Sequence, residues 1–387
     1  MRVMNSNPSI ASIDAVLVDL PTIRAHKLAM TTMMRQTLAI VRVECSDGVV
    51  GIGEATTIGG LAYSEQSPEG IKSAVDDYIA PLLLDADATR IAVAMRRVGA
   101  AVQGNSFAKA AIEIALLDAH GKRLGLPVHA LLGGAVRDAL PVLWTLASGN
   151  AARDVEEALA LIEARRHRVF KLKVGSRELA ADIAHVQAIR AGVGDDVMLT
   201  VDVNQAWDEP TAVRGIAALE AAGVALVEQP VPRRNRRALA RLAARFDVAI
   251  MADEAVHDAV DAFDLARDGA ADVYALKVSQ AGGLWPTLRA AAVADAAGVG
   301  IYGGTLLEGS IGSVAAAHAF AASPQLAWGT ELFGPLLLKD DVVVQRPDYR
   351  DFELQVPQQP GLGVQLDADK LAFYRRDRRS VTVPVTA

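Results

Sequence analysis

The sequence predicts an α/β protein: a (β/α)8-type barrel with an N-terminal α+β capping domain. Three observations lead there. Eight short apolar stretches recur beyond residue 136, alanine- and leucine-rich amphipathic stretches separate them, and the chain before them has a different rhythm, hairpin first and helices after. Strand–helix alternation repeated eight times implies parallel strands with crossover helices, most economically a closed barrel. An open doubly wound sheet is the alternative architecture.

The elements follow in order. "IDAVLVDLP" and "TLAIVRVECSDGVVGIGEA" are rich in strand formers, and the Asp47-Gly48 pair between β-like runs signals a hairpin. From about Ser67 to Leu132 the pattern is helical, and "AKAAIEIALLDAHGKRLG" closes on a glycine suited to a helix end. Residues 1–135 therefore read as the capping domain. Residues 136–335 carry the eight strand candidates: "PVLWTLAS", "VFKLKVG", "MLTVDVN", "ALVEQP", "AIMADE", "VYALKVS", "VGIYGG" and "LAWGTEL". The last lacks a long helix directly after it, so residues 336–387 are expected to pack back on the capping domain.

The 387 residues are long enough for this arrangement, and 51% hydrophobic with 22% charged is ordinary for a globular chain. Aromatics are scarce, so the core is expected to be aliphatic. A net charge of −7 argues against nucleic-acid or anionic-membrane partners. The basic run "RRNRR", Arg233 to Arg237, reads as a solvated loop and helix start. The single Cys45 excludes an intramolecular disulfide and suits a reducing compartment. "MRVMNSNPSIASID" lacks the apolar core of a signal peptide, and no apolar run reaches the roughly 18 residues of a membrane span. A soluble, cytoplasmic protein is expected.

In "VFKLKVG", Lys171 and Lys173 lie two residues apart on a predicted strand, so both face the same side. Two like charges on a largely buried strand destabilise a fold unless other groups use them. In a barrel, functional groups lie at the C-terminal strand ends. Those ends carry Lys171, Lys173, Asp202, Glu228, Asp253, Lys277 and Glu331. From Asp202 the steps to Glu228, Asp253 and Lys277 are 26, 25 and 24 residues, about one strand–helix unit each, and Glu331 follows after 54. Consecutive strands thus deliver one group apiece to a common mouth.

Three carboxylates from adjacent strands make a hard oxygen-donor site suited to Mg²⁺ or Mn²⁺. No HExxH, CxxC or phosphate-binding glycine loop suggests another metal or a nucleotide, and the glycines of "YGGTLLEGSIGS" read as a tight turn where backbone approaches a ligand. Each group also has a plainer reading. Asp202 and Asp253 suit caps of the following helices, and Lys277 suits a buried ion pair. Asn204 and Glu254 suit a supporting or structural role, Asn204 also a substrate contact. The regular spacing favours the joint reading. A divalent cation on a substrate carboxylate stabilises an enolate, and a lysine moves the proton at the adjacent carbon. A neighbouring ammonium, the metal and partial burial would each lower that lysine's pKa towards neutrality.

The combination of "KLK" at 171–173, "DVNQ" at 202–205, "EQP" at 228–230, "ADE" at 252–254 and "LKVSQAGG" at 276–283 resembles the muconate-lactonizing subgroup of the enolase superfamily. The resemblance continues in "VDLPTIRAHKLAM", "GEATTIGGLAYSEQSPEGI", "YGGTLLEGSIG" and "WGTELFGPLLL", and so covers nearly the whole chain. It implies an enolase-like fold and Mn²⁺ or Mg²⁺ held by Asp202, Glu228 and Asp253. Lys173 would be the general acid/base, Lys171 would answer substrate charge and tune Lys173, and Lys277 would stand on the opposite face. Glu331 and Phe333 would line the pocket, with Ile58 and Tyr63 closing over it. The implied reaction is reversible conversion of cis,cis-muconate, a small dicarboxylate, to muconolactone in catechol degradation, by a homo-oligomer expected to be an octamer.

Other readings keep the fold and change the substrate: chloromuconate, or the substrates of dipeptide or N-acylamino acid epimerases and racemases. The eighth-strand segment "GTELFGP" lacks the Asp-x-Asp expected of dipeptide epimerases, and Tyr302-Gly303-Gly304 stands where mandelate-racemase-like enzymes carry a histidine. Phe333 favours the unchlorinated diacid. A Schiff-base lyase would not need three carboxylates, and a dead scaffold would need none of the set.

Overall fold

The computed structural model describes residues 7–28 and 31–376. Residues 377–387 of the C-terminal segment and the first six of the N-terminal stretch lie outside that range, as do Ala29 and Met30.

The chain opens with an antiparallel sheet of β1 (Ile10–Lys27), β2 (Thr32–Cys45) and β3 (Val50–Thr56). The β2–β3 hairpin turns at Asp47-Gly48, where Gly48 takes φ +81° and Val49 N–H is 3.2 Å from the Asp47 carboxylate. The helix Ser106–Leu124 lies directly on this sheet. Gly51 and Gly53 make that possible, since a Cβ on either would run into the helix carbonyls of Ala115 and Ala111. Gly125 ends the helix in the left-handed region, its N–H returning to the Gly121 and Lys122 carbonyls.

Seven parallel strands follow in chain order: β5 (Trp144–Leu146), β6 (Val169–Lys173), β7 (Met198–Asp202), β8 (Leu226–Glu228), β9 (Ala249–Ala252), β10 (Val273–Leu276) and β11 (Gly300–Gly303). Crossover helices cover them, and their side chains form one apolar core, mostly aliphatic, with Phe170, Leu172, Leu199, Val201, Val227, Ile250 and Ile301 buried, as strands covered on both faces require.

Two strand predictions need correction. "LAWGTEL" contributes one residue, Thr330, bridged in parallel to Val142 on one side and Gly303 on the other. Gly329 bends the chain at φ +65° just before it, and Phe333 N–H turns back to the Glu331 carbonyl at 2.7 Å, so no extended run develops. That single residue links the segment just before β5 to the end of β11, the last strand of the curled sheet. "PVLWTLAS" is split. Its Pro141 ends β4 (Ala139–Pro141), which pairs antiparallel with β13 (Glu353–Gln355) and, beyond it, β12 (Tyr349–Arg350). Only Trp144–Leu146 join the barrel.

The C-terminal segment runs back along β1, with bridges Thr22↔Leu338 and Val18↔Arg375 and Lys339 N–H donating to the Pro21 carbonyl at 2.9 Å. Among the described residues, no helix is long and apolar enough to cross a membrane.

Candidate active site

Parallel register places the functional groups in a row. Lys173 at the end of β6 is level with Asp202 at the end of β7, and Asp202 with Glu228 at the end of β8. Asp253 and Lys277 directly follow β9 and β10. In sheet order, two lysines therefore flank three carboxylates. Lys173 Nζ donates to Asp202 Oδ2 and lies 3.3 Å from Asn204 Oδ1, while Lys277 Nζ lies 2.6 Å from Asp253 Oδ1 and 2.7 Å from Oδ2. Asp202, Glu228, Asp253 and Lys277 are buried, whereas Asn204 is half-buried and the Lys173 side chain is 17% exposed.

These groups line one cavity together with Asn204, Glu331, Phe333, Ile58 and Tyr63. Lys171 is the exception among the sequence-predicted residues. Its ammonium is buried beneath that wall, 2.6 Å from both Glu228 Oε2 and Glu331 Oε2, with the Tyr302 ring centroid at 4.9 Å. Burial opposes its charge, yet Glu228 and Glu331 outweigh it and hold the ammonium well above the ordinary lysine range. The pair of like charges at 171 and 173 is thus resolved by separate carboxylate partners.

The loop after β3 brings two apolar and aromatic groups over the cavity. Ile58 is buried, and the Tyr63 hydroxyl donates to Asp253 Oδ2 at 2.9 Å while accepting from Lys277 Nζ at 2.6 Å. Burial opposes ionisation of Asp253 too, but the Lys277 ammonium holds its carboxyl below the usual range. Phe333 packs tilted against Trp144, the ring planes at 55° and the centroids 5.0 Å apart.

The helix-cap readings of Asp202 and Asp253 fail, because the caps are Asp208 and Asp258 farther along each loop. Asp202 Oδ1 instead accepts Asn204 N–H at 2.8 Å. Asn204 in turn donates to Glu254 Oε1 at 3.2 Å, and burial beside Asp253 and Asp202 pushes the Glu254 carboxyl up to about 8. The basic run keeps its plain reading: Asn235 caps the helix Arg236–Ala243, Arg236 pairs with Asp261 and Asp264, and Arg233 pairs with Glu65.

Sequence reasoning missed His26, Leu28, Thr145, Thr305 and Leu307, which line the same cavity. Thr305 and Leu307 belong to the glycine-rich turn already singled out. Its glycines, however, make room for protein side chains: a Cβ on Gly304 would stand 2.8 Å from Lys277 Cγ. His26 follows a register shift in β1 and is held neutral, since burial, with Lys173 and Arg24 nearby, pushes it down to about 3. Gln229 was also missed. Its side-chain oxygen accepts the N–H groups of Asp253 and Ala255 at 3.0 and 3.1 Å and so sets the strand end that carries Asp253.

The donor set suits a hard divalent cation. Asp202, Glu228 and Asp253 are all carboxylates, and Asp202, Asp253 and Glu331 all act electrostatically on Glu228. Glu228 Oε2 and Asp253 Oδ1 accept no well-directed hydrogen bond despite lying 2.6 Å from lysine nitrogens. Buried oxygens left so are the kind that a cation satisfies. Among the described residues, no three or more His, Cys, Asp or Glu side chains stand at metal-centre spacing, and each of these carboxylates leans on a lysine.

Known proteins share this architecture. Residues 12–133 match the model of the mandelate racemase/muconate lactonizing enzyme N-terminal domain, and residues 153–370 that of the enolase C-terminal domain-like family. Muconate cycloisomerase 1 of Pseudomonas putida is 56% identical over 369 residues, covering 95% of this chain and 98% of that enzyme. A chloromuconate cycloisomerase of Cupriavidus necator is 47% identical over 367 residues, covering 95% and 99%. The crystal structure of a muconate lactonizing enzyme from Pseudomonas fluorescens complexed with muconolactone superposes with a TM-score of 0.94 at 56% identity, covering 95% of this chain and all of that one. The chain therefore belongs to the mandelate racemase/muconate lactonizing enzyme family of the enolase superfamily.

Proposed function

We propose that this chain is a muconate cycloisomerase, interconverting cis,cis-muconate and muconolactone. The observation that carries the reading is the unbroken row Lys173, Asp202, Glu228, Asp253, Lys277 around one cavity, in a chain matched end to end by muconate cycloisomerases. Relatives that act on muconate reach 50–56% identity, those on chloromuconate 45–47%.

Enzymes of this family use divalent metal ions; here Asp202, Glu228 and Asp253 would hold Mn²⁺ or Mg²⁺, which would supply Lewis-acid stabilisation to a substrate carboxylate. In the ring-closing direction, one carboxylate oxygen of the diacid adds to the alkene carbon β to the other carboxylate. The displaced electron pair reaches the α carbon, and Lys173 Nζ delivers a proton there, regaining one from solvent. Lys277, on the far side of the carboxylate row, opposes charge that develops on the substrate. Lys171 keeps Glu228 and Glu331 neutralised from below, while Ile58, Tyr63 and Phe333 shape an apolar enclosure and Asn204 contacts the substrate. Residues 1–135 act as the cap, 136–335 as the barrel and 336–387 as the returning segment. The resemblance further supports a cytoplasmic homo-octamer.

The test is direct. Purified protein with Mn²⁺ should abolish the conjugated-diene absorbance of cis,cis-muconate. Lys173→Ala should lower kcat by about 10²–10⁴-fold, the usual worth of a general acid, while retaining metal binding by calorimetry. An unchanged rate in that variant would remove Lys173 from its role.

A further inference from the structure

The wall of the cavity after β11 is a short loop that holds itself in an unusual shape. Leu307, which lines the cavity, has φ +62°, a left-handed conformation that a branched side chain rarely adopts. Internal bonds go part of the way to maintaining it. The Thr305 hydroxyl donates to Glu308, Leu306 N–H donates to Glu308 Oε2 at 2.9 Å, and Leu307 N–H donates to Thr305 Oγ1 at 2.9 Å.

The rest of the support comes from the other end of the chain. Gln36, on β2 and 1% exposed, donates from one Nε2 to the Leu306 carbonyl at 2.9 Å and the Leu307 carbonyl at 3.0 Å. Glu54, on β3 and equally buried, accepts Gly309 N–H on Oε1 at 2.6 Å and Gly312 N–H on Oε2 at 2.9 Å. Two carbonyls before the helix Ser310–Ala322 and two amides at its start are thus gripped by one donor and one acceptor of the N-terminal sheet. Gly309 and Gly312 permit the approach: a Cβ on Gly309 would stand 2.7 Å from Leu38 Cδ1 and 3.2 Å from Glu54 Oε2, and one on Gly312 2.7 Å from Glu308 Cβ. Neither Gln36 nor Glu54 lines the cavity.

We propose that Gln36 and Glu54 are positioning residues, a clamp from the capping sheet that holds residues 305–312 so that Thr305 and Leu307 form the substrate-facing wall. The clamp rests on the proposed muconate reading for its substrate, and on hydrogen bonding alone for its action on the loop. It makes substrate fit a property of the contact between cap and barrel, because the segment carrying the strained Leu307 loses four hydrogen bonds when the sheet's grip is removed.

The test uses Gln36→Met, which keeps side-chain length and removes both donors, and Glu54→Ala, which removes both acceptors, in the full chain with Mn²⁺. Folded Gln36→Met should show KM for cis,cis-muconate raised at least about fivefold with kcat changed less. Its kcat/KM ratio between muconate and a chloromuconate should shift at least about threefold. By hydrogen exchange, amides of Leu307 and Gly309 should exchange at least about tenfold faster, with β6–β8 amides unchanged. Glu54→Ala should repeat the exchange result at Gly309 and Gly312. A variant that loses turnover only through a smaller active fraction, with KM and the ratio at wild-type values, would overturn the positioning role. Unchanged exchange in the loop would overturn the clamp. If the wild type fails to turn over muconate, the reaction assignment falls, and the exchange comparison, which needs no substrate, still decides whether the clamp holds the loop.

Discussion

At the scale of single residues, buried charge is the governing cost, and the charged groups buried in and beneath the cavity wall answer it with partners. Lys171 is the clearest case, shared between Glu228 and Glu331 with side-chain exposures of 1%, 1% and 8%. Removing it in Lys171→Met leaves both carboxylates buried without their cation. The expected outcome is a loss of about 3–5 kcal/mol in unfolding free energy by urea titration, the usual size for a broken buried pair. Glu228→Gln exchanges a charged donor for a neutral one. It should weaken Mn²⁺ binding by calorimetry with a near-native circular dichroism spectrum, and unaltered affinity would return Glu228 to a structural role. The convergence of these residues on one mouth was legible in the sequence through their spacing, since one charge per strand end is a pattern along the chain. Their partners were not, because a lysine two residues from another lysine gives no sign of which carboxylate its ammonium will meet.

At the scale of elements, close backbone approach sets the architecture of the cap. The helix Ser106–Leu124 touches β3 only because Gly51 and Gly53 lack a Cβ. Gly53→Ala should therefore destabilise by at least about 1–3 kcal/mol, the range for overpacking, seen as a lower melting temperature with metal present. The junction of β3 with the helix Ser310–Ala322 carries a pH dependence. Burial, with Asp341 and Glu308 facing it, pushes the Glu54 carboxyl up to about 8 despite the amides of Gly312 and Gly309. Its ordinary value is 4.5, so between these values the folded state binds more protons than the unfolded state, and stability falls as pH rises. The melting temperature should decline from pH 5 to pH 8, and Glu54→Gln should remove that part of the slope; an identical slope would separate Glu54 from the effect. Periodicity located these strands and helices well. It failed at "LAWGTEL" and "PVLWTLAS", where composition suits a strand but Gly329 and the pairing of β4 with β13 redirect the backbone.

At the scale of the whole molecule, distant segments complete one cavity: His26, Leu28, Ile58 and Tyr63 from the cap, and residues from Thr145 to Phe333 from the barrel. Because each carboxylate of the row also has a lysine partner, metal removal is expected to stop the reaction and spare the fold. Dialysis against EDTA should abolish muconate turnover, added Mn²⁺ should restore it, and the melting temperature should fall only by the linkage contribution of the bound ion. Turnover that survives EDTA would exclude the metal-assisted reading. The sequence by itself determined the barrel class, the order of the strands, and the identity and spacing of the carboxylates and lysines, because hydrophobic periodicity and residue type are local properties of a chain. Tertiary structure alone decided that Lys171 lies beneath the cavity, that Thr330 is the whole eighth strand, and that Gln36 and Glu54 reach the loop of Leu307. These are contacts between residues as many as 271 positions apart, and no local pattern records which distant group will satisfy a buried donor or acceptor.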